Sequence, residues 1–401
     1  MIQRPSNSQP RREMPPNQSG FTILELTVVM GLLSVFMMFL LQILFTSTGI
    51  FQEGQDGQDL STRALAASRA LETAVGDMTG PTRESRTSSS NTRMLCQWEP
   101  LGFIEGEAQT DTQVLRATVR IDKEQEKALL RELLIASGEF LAVEDYALEE
   151  TLELMVAMAG YGGRGDMLLL PWPQGDAEGA YTQLRHGLFL PERAMPFPEA
   201  DGRSLMELDR VGDLPPDLVR DHTAVLASGL LHVSFEFASQ YTRGWSDPVR
   251  GPETVWDSSR VGWPEVEGSA DPSFSLTMGE ASRYDSTDDV FPRVVRLTVV
   301  AGMSPQHAPE SLLADGLAAG QVTSVRLASI ENLPLTIHDN LVKIGSEWIR
   351  FAEIDGDVLK GLARGQRGTQ AKTHERGTGV RVGRTQVILI RLLHGRDSWN
   401  G

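Results

Sequence analysis

The 401-residue sequence holds a single cysteine, Cys96, so no disulfide can form within the chain. A chain of this length can fold on its apolar core alone, so one thiol excludes a disulfide framework without excluding export. Histidines are few and scattered, at 186, 222, 232, 307, 338, 374 and 394, and no pair has the short spacing of a zinc site. No G-x-S-x-G elbow or paired-carboxylate motif supplies a nucleophile and base, so the chain reads as a protein that is not an enzyme. Positive charge is in deficit: 37 Lys and Arg stand against 54 Asp and Glu, a net −17 with a pI near 4.9. Such a surface repels phosphate backbones and anionic headgroups, which argues against a nucleic-acid partner. Proline is missing from the whole stretch between Phe21 and Thr79, which leaves room for one long uninterrupted helix.

The N-terminus carries the strongest positive signal. Residues 1–20 are polar and rich in Pro, Ser and Asn, with Arg4, Arg11 and Arg12 against Glu13. From Phe21 to Thr48 only Glu25 is ionisable in 28 residues. The apolar run from Leu26 to Phe45 is about 30 Å long as a helix at ~1.5 Å per residue, enough to cross a bilayer core. Arginines ahead of it keep the N-terminus cytoplasmic and export everything after Thr48. An ordinary secretory signal is cut after a shorter apolar run; here the cut falls before the run, at Gly20–Phe21.

The segment SGFTILELTVVMGLLSV resembles the class III signal of type IV prepilins and pseudopilins, with Gly20 before the cut, Phe21 as the new N-terminus and Glu25 as the fifth mature residue. The resemblance implies that a membrane prepilin peptidase cleaves between Gly20 and Phe21 and methylates the Phe21 amine. It also implies assembly with other pilins or pseudopilins in the inner membrane, with the body on the periplasmic side. A charged carboxylate inside a spanning helix costs about 2.5–3.5 kcal/mol on insertion scales, so Glu25 needs a partner. The Phe21 amine of a neighbouring subunit is one candidate and its own amine is the other. Gly31 and Ser34 share a stripe that would permit close helix approach, or are simply tolerated small residues. Major pilins often carry a kinking proline in this helix. Gln42 occupies that neighbourhood here, which leans towards a minor pilin or pseudopilin.

Beyond Thr48, Leu60, Ala64, Ala67, Leu71, Ala74 and Val75 recur at helical spacing and predict a stem that packs on a sheet. Gly54 and Gly57 are expected to loosen it, and Gly80-Pro81 to end it. Residues 82–93 read as a loop. Strands are expected around Met94–Trp98, Gln113–Arg120, Met167–Leu170 and Gly187–Leu190. Residues 123–159 interrupt them with two helices divided near Gly138, whose Glu-rich face reads as solvated. Arg164-Gly165-Asp166 is a tripeptide some adhesins use and also one that recurs by chance. Val233, Phe235 and Phe237 alternate with polar residues as a half-buried strand, and Arg293–Val300 forms another after Pro292. Phe235, Tyr241, Gly244, Trp245, Trp256, Pro292, Val294, Val295 and Leu297 carry a resemblance to J-type minor pseudopilins of type II secretion and to PilW-like minor pilins. Asp285, Asp288 and Asp289 are a calcium candidate, with a solvated acidic turn as the alternative; no other cofactor is expected. Asp355 and Asp357 flank a glycine that signals a hairpin turn.

The C-terminal part reads as an addition. IGSEWIRF, LARGQRGTQAKTH and GTGVRVG resemble a small β module of bacteriophage virion proteins. Arg364, Arg367, Lys372, His374 and Arg376 make it locally basic, as a solvated face or a dock for an acidic body or partner. Residues 385–393 read as one last buried strand, a candidate to rejoin the body sheet. The expected fold class is α+β. Its parts are a leader 1–20, a spanning helix 21–48, an amphipathic stem 49–80 and a pilin-like body 81–302 with a helical insertion 123–159. A linker 303–320, an all-β module 321–383 and a final strand and tail 384–401 complete it. The expected function is a minor subunit at the tip of an inner-membrane filament, priming or capping it. A filament-displayed adhesive or substrate-binding module is the alternative.

Overall fold

The computed structural model describes residues 22–78, 93–100, 111–136, 151–154, 163–174, 179–191, 202–238, 254–258, 291–303, 308–320, 322–331, 333 and 340–392. The chain divides into two units, Met1–Gln58 and Asp59–Gly401, and helix α1 (Ile23–Gly76) contributes to both. In the first unit, Ile23–Thr48 is long and apolar enough to cross a membrane, and none of it is buried inside the protein. The hydroxyls of Thr27, Ser34, Thr46 and Thr48 donate to the carbonyls of Ile23, Met30, Gln42 and Leu44, four residues back. Each hydroxyl is thus satisfied within the helix itself, as an apolar surrounding requires. The helix continues through Gly54 and Gly57, where the sequence suggested a loosening.

In the second unit the stem stripe does what its spacing predicts. Ala64, Ala67, Leu71 and Val75 are buried against Met94, Leu115, Met167, Val233, Phe235 and Leu297. Alanines at two of the four positions let the helix axis approach the sheet closely. The strands they meet are β1 (Met94–Pro100), β2 (Asp111–Arg120), β3 (Arg164–Pro173), β4 (Thr182–Phe189), β5 (Ala224–Ala238), β6 (Trp256–Asp257) and β7 (Val294–Ala301). The Arg164-Gly165-Asp166 tripeptide opens β3, and its Asp166 is buried, accepting a hydrogen bond from the Thr118 hydroxyl at 3.3 Å. It does not form an exposed adhesive loop.

After β7 the chain leaves the sheet to build a separate module. Its strands are β8 (Ser311–Leu312), β9 (Ser324–Arg326), β10 (Leu341–Ile344), β11 (Glu347–Arg350), β12 (Glu353–Asp355), β13 (Val358–Lys360), β14 (Ala363–Gln366) and β15 (Gly379–Arg381). They form a five-stranded sheet, β14-β11-β10-β15-β8, and a three-stranded one, β12-β13-β9. Leu313, Leu317, Val325, Val342, Ile349, Leu359 and Val380 share one core. Of the stretch expected to be a linker, 303–320, the described residues instead supply β8 to the five-stranded sheet and Leu313 and Leu317 to the module core. The Asp355-Gly356-Asp357 turn joins β12 to β13 with Gly356 at φ +56°, as its sequence predicts.

Strand β16 (Arg384–Arg391) then returns antiparallel to β7, with Arg384 opposite Ala301. The completed body sheet is β6-β1-β2-β3-β4-β5-β7-β16, antiparallel throughout. β16 is not the buried strand that its apolar run suggested. It lies at the sheet edge, with Ile390 in the core and Val387 and Leu389 exposed.

The face of the sheet away from α1 is covered at β2 and β3 by residues 204–221, which include helix α3 (Pro216–Asp221) and bury Leu205, Leu208, Val211, Leu214 and Val219. A buried ion pair holds this cover down. Arg116 donates to Glu99 at 3.3 Å and to the carbonyls of Leu205 and Leu208 at 3.1 and 2.6 Å. Glu99 accepts the backbone N–H of Val211 and Gly212 at 2.7 and 3.1 Å. Arg185 closes the end of α3, donating to the Arg220 and Thr223 carbonyls. Of the predicted helical insertion, helix α2 (Lys123–Ala136) buries Leu130 and Leu134 against Leu152 and Leu190. The division near Gly138 lies outside the described residues.

Candidate assembly site

The N-terminal end of α1 is closed by its own side chains. Thr22 is the cap: its hydroxyl accepts the Glu25 backbone N–H at 3.2 Å, and its own N–H donates to Glu25 Oε2 at 3.0 Å. The Thr22 hydroxyl also donates to the same Oε2, at 3.1 Å. This is a reciprocal capping box, in which a threonine and the glutamate three residues later satisfy two helix-end donors. Beside the amines expected as partners for Glu25, the structure adds Thr22, whose signal in the sequence is the T-x-x-E spacing at 22–25. Gly20 and Phe21 lie outside the described residues. Among the described residues, Thr22 is the donor to this carboxylate, and both of its bonds fall on Oε2. Ser34 turns back onto its own helix, and open space surrounds Gly31.

A second constructed surface joins the β module to the body. Trp348 of β11 is buried with Ala180, Tyr181, Leu231 and Val300 of the body. Lys343 of β10, itself almost fully buried, donates from Nζ to the Ala180 and Leu231 carbonyls at 2.6 and 2.7 Å. Arg381 of β15 stacks over the Tyr181 ring, 4.9 Å from its centroid, and Arg367 lies 4.4 Å above Trp348. His232 of β5 meets the edge of Trp348, with ring centroids 6.1 Å apart. Desolvation at this seam, followed by the Arg367 and Lys343 cations, holds the His232 imidazole well below its usual range. Gly368, at φ +77°, brings the module turn against Trp98 so closely that a Cβ would sit 2.5 Å from the indole.

The basic residues of the module do not form one solvated face. Arg364 and His374 point inward to Glu347, which is fully buried. Arg364 donates to both carboxylate oxygens at 2.6 Å, His374 Nε2 lies 2.9 Å from Oε2, and the Gly365 and Lys372 N–H groups donate at 3.0 and 3.1 Å. Burial works against this charge, but the bonds from Arg364, His374, Lys372 and Gly365 win, and the carboxyl is lowered to about 2. Among the described residues, docking uses body carbonyls and aromatic rings. Lys343 and Arg381, which carry it, gave no signal in the sequence beyond alternation with apolar neighbours. Asp285, Asp288, Asp289, Tyr241, Gly244 and Trp245 lie outside the described residues, while Trp256 is a core residue packed on Phe237. No cluster of three or more metal-ligating side chains occurs among the described residues.

A family model described as the prokaryotic N-terminal methylation motif matches residues 15–41. That span holds the Gly20–Phe21 junction, the Thr22–Glu25 cap and most of the exposed apolar helix. No curated protein and no solved structure matches the chain. With its apolar N-terminal helix and antiparallel body, the chain fits a type IV pilin-like, membrane-anchored protein.

Proposed function

We propose that this pilin-like chain is a minor subunit of an inner-membrane filament, either a type II secretion pseudopilus or a type IV pilus, placed at or near its tip. The observation that carries the proposal is a glutamate fixed at the start of an exposed, membrane-length helix, inside the matched methylation motif. In this reading prepilin peptidase cuts after Gly20 and methylates Phe21, and Glu25 supplies register. Its Oε2 stays on the Thr22 cap while Oε1 receives the Phe21 amine of a neighbouring subunit. Apolar packing of the helices gives adhesion, and the body faces the periplasm. A body enlarged by an inserted module favours a minor position, because repeating that bulk along a tightly stacked filament causes crowding.

Intact mass and N-terminal sequencing, with and without prepilin peptidase, test the first step. A methylated N-terminal Phe21 that depends on the peptidase supports it; an uncleaved chain sinks it. Glu25→Ala is then expected to leave cleavage intact and to lower cross-linking into filaments.

A second reading is favoured by the module itself, which has its own core and enters and leaves at adjacent strands. In that reading the filament displays the module as a binding head. Because Ala301 and Arg384 are directly opposite, a two-residue Asn-Gly turn can replace residues 302–383 and close the β7–β16 hairpin. Intact assembly with lost binding supports display, and lost assembly assigns the module to the filament.

A further inference from the structure

Among the described residues the body sheet ends at β16, in an edge strand that is apolar and carries only positive charge. Register and the Leu392 N–H to Arg293 carbonyl bond, 3.0 Å, fix which main-chain groups are used. In an antiparallel ladder alternate residues point their N–H and C=O at the partner. Arg384, Gln386, Ile388 and Ile390 therefore face β7, and Thr385, Val387, Leu389 and Arg391 direct their main-chain groups outward. Val387 and Leu389 are 51% and 57% exposed and share the face opposite α1. Natural edges are usually blunted by short length, bulges, proline or inward charges. β16 runs for eight residues in continuous register with β7 and contains no proline.

We propose that β16 is a docking edge that accepts an extended strand with acidic ends from another protein. Main-chain bonding to Thr385, Val387, Leu389 and Arg391 supplies the ladder, and side chains over Val387 and Leu389 supply apolar contact. Charge chooses the occupant. Arg384 and Arg391 stand exposed at the two ends of β16, which contains no carboxylate, in a chain of net −17. A second copy of β16 would bring four arginines and no acid to the seam, whereas a strand with a carboxylate at each end neutralises both. The proposal does not depend on filament assembly, so it stands or falls apart from that reading.

The test titrates the full-length chain in detergent micelles with two labelled octapeptides, ETVTVTTE and KTVTVTTK, by fluorescence anisotropy. Paired antiparallel to β16, their ends lie opposite Arg391 and Arg384 and their valines opposite Leu389 and Val387. ETVTVTTE is expected to bind about tenfold more tightly, from two end pairs changed from attraction to repulsion. Val387→Pro removes one outward N–H while leaving the β7 ladder, a substitution that edge strands tolerate. It is expected to weaken ETVTVTTE by about three- to tenfold, while Val387→Ile leaves it unchanged. The double variant Arg384→Glu, Arg391→Glu is expected to reverse the preference, which keeps the test decisive if the proline variant misfolds. Failure of ETVTVTTE to bind, equal binding of both peptides, or unaltered binding by a folded Val387→Pro overturns the proposal. So does self-association in sedimentation that Val387→Pro abolishes, since the occupant would then be a second copy.

Discussion

Replacing Glu347 by glutamine removes one charge from the centre of the β module and changes almost no volume. Oε1 accepts Arg364 Nε and the Gly365 N–H, and Oε2 accepts Arg364 Nη2, the Lys372 N–H and His374 Nε2. Glutamine keeps one acceptor oxygen and turns an amide NH2 towards the donors of the other, so at least two bonds become donor against donor. Arg364 also loses the partner of a buried charge. Breaking such a pair from one side costs about 3–5 kcal/mol. An independent route gives a similar figure: lowering the carboxyl from 4.5 to about 2 corresponds to roughly 3 kcal/mol, at about 1.4 kcal/mol per pH unit. The folded value lies below the unfolded one, so this stability is fully present above pH 4.5 and is lost as pH falls towards 2. Urea unfolding of the full-length chain in detergent, with hydrogen exchange on peptides spanning residues 340–382, reads the effect. The variant is expected to lose about 3 kcal/mol of module stability at pH 7, and the gap should narrow steadily below pH 4.5. Groups not coupled to Glu347 cancel in the difference between the two proteins. A loss under about 1 kcal/mol at pH 7, or a gap that does not change between pH 5 and 2.5, would refute the reasoning.

Other outcomes follow from the same contacts. Arg116→Met strands Glu99 as a buried charge and should cost about 3–5 kcal/mol, with hydrogen exchange accelerating across residues 204–214; adding Glu99→Gln should recover part of that loss. His232 is held neutral at the docking seam, its folded value depressed below the unfolded one, so it lowers stability as pH falls through about 6.5. Protection of the Leu341–Ile344 amides, corrected for the intrinsic pH dependence of exchange, should therefore fall between pH 7 and 5.5, and His232→Gln should remove that dependence. Gly368→Ala combines a left-handed backbone with a Cβ 2.5 Å from Trp98 and should loosen docking by about 1–3 kcal/mol, seen as faster exchange around Trp98 and Gly368 with the module core unchanged.

The sequence was most readable where one physical signal dominates. A 20-residue apolar run after a polar N-terminal stretch points to a spanning helix, and the Ala64–Val75 stripe and the Val233, Phe235, Phe237 alternation are periodicities of the elements they form. The module boundary was hidden because Ala, Gly and Pro around 303–320 look like a linker, while burial of Leu313 and Leu317 depends on strands that come later in the chain, from β9 to β15. The directions of Arg364 and His374 were hidden for a related reason. Glu347 precedes them by 17 and 27 residues, and it meets Arg364 through the β11–β14 pairing and His374 where that residue bridges to Leu317. β16 shows the limit of composition: a continuous apolar run predicts burial on both faces, yet topology puts it at an edge. In the candidate assembly site, Glu25 was legible from its charge alone, and its Thr22 cap would have been legible from spacing.

The module is attached at one point of the body sheet, where β7 leaves it and β16 returns directly opposite. A pull on the module, acting through its two tethers alone, would draw Ala301 and Arg384 apart and open the β7–β16 ladder one pair at a time, like a zipper. The contacts at Lys343, Trp348 and Arg381 lie across that path and must give way together before the ladder feels load. The docking seam is thus the mechanical fuse of the body: while it holds, the module moves with the sheet as a rigid head, and once it parts the edge strand peels at low force.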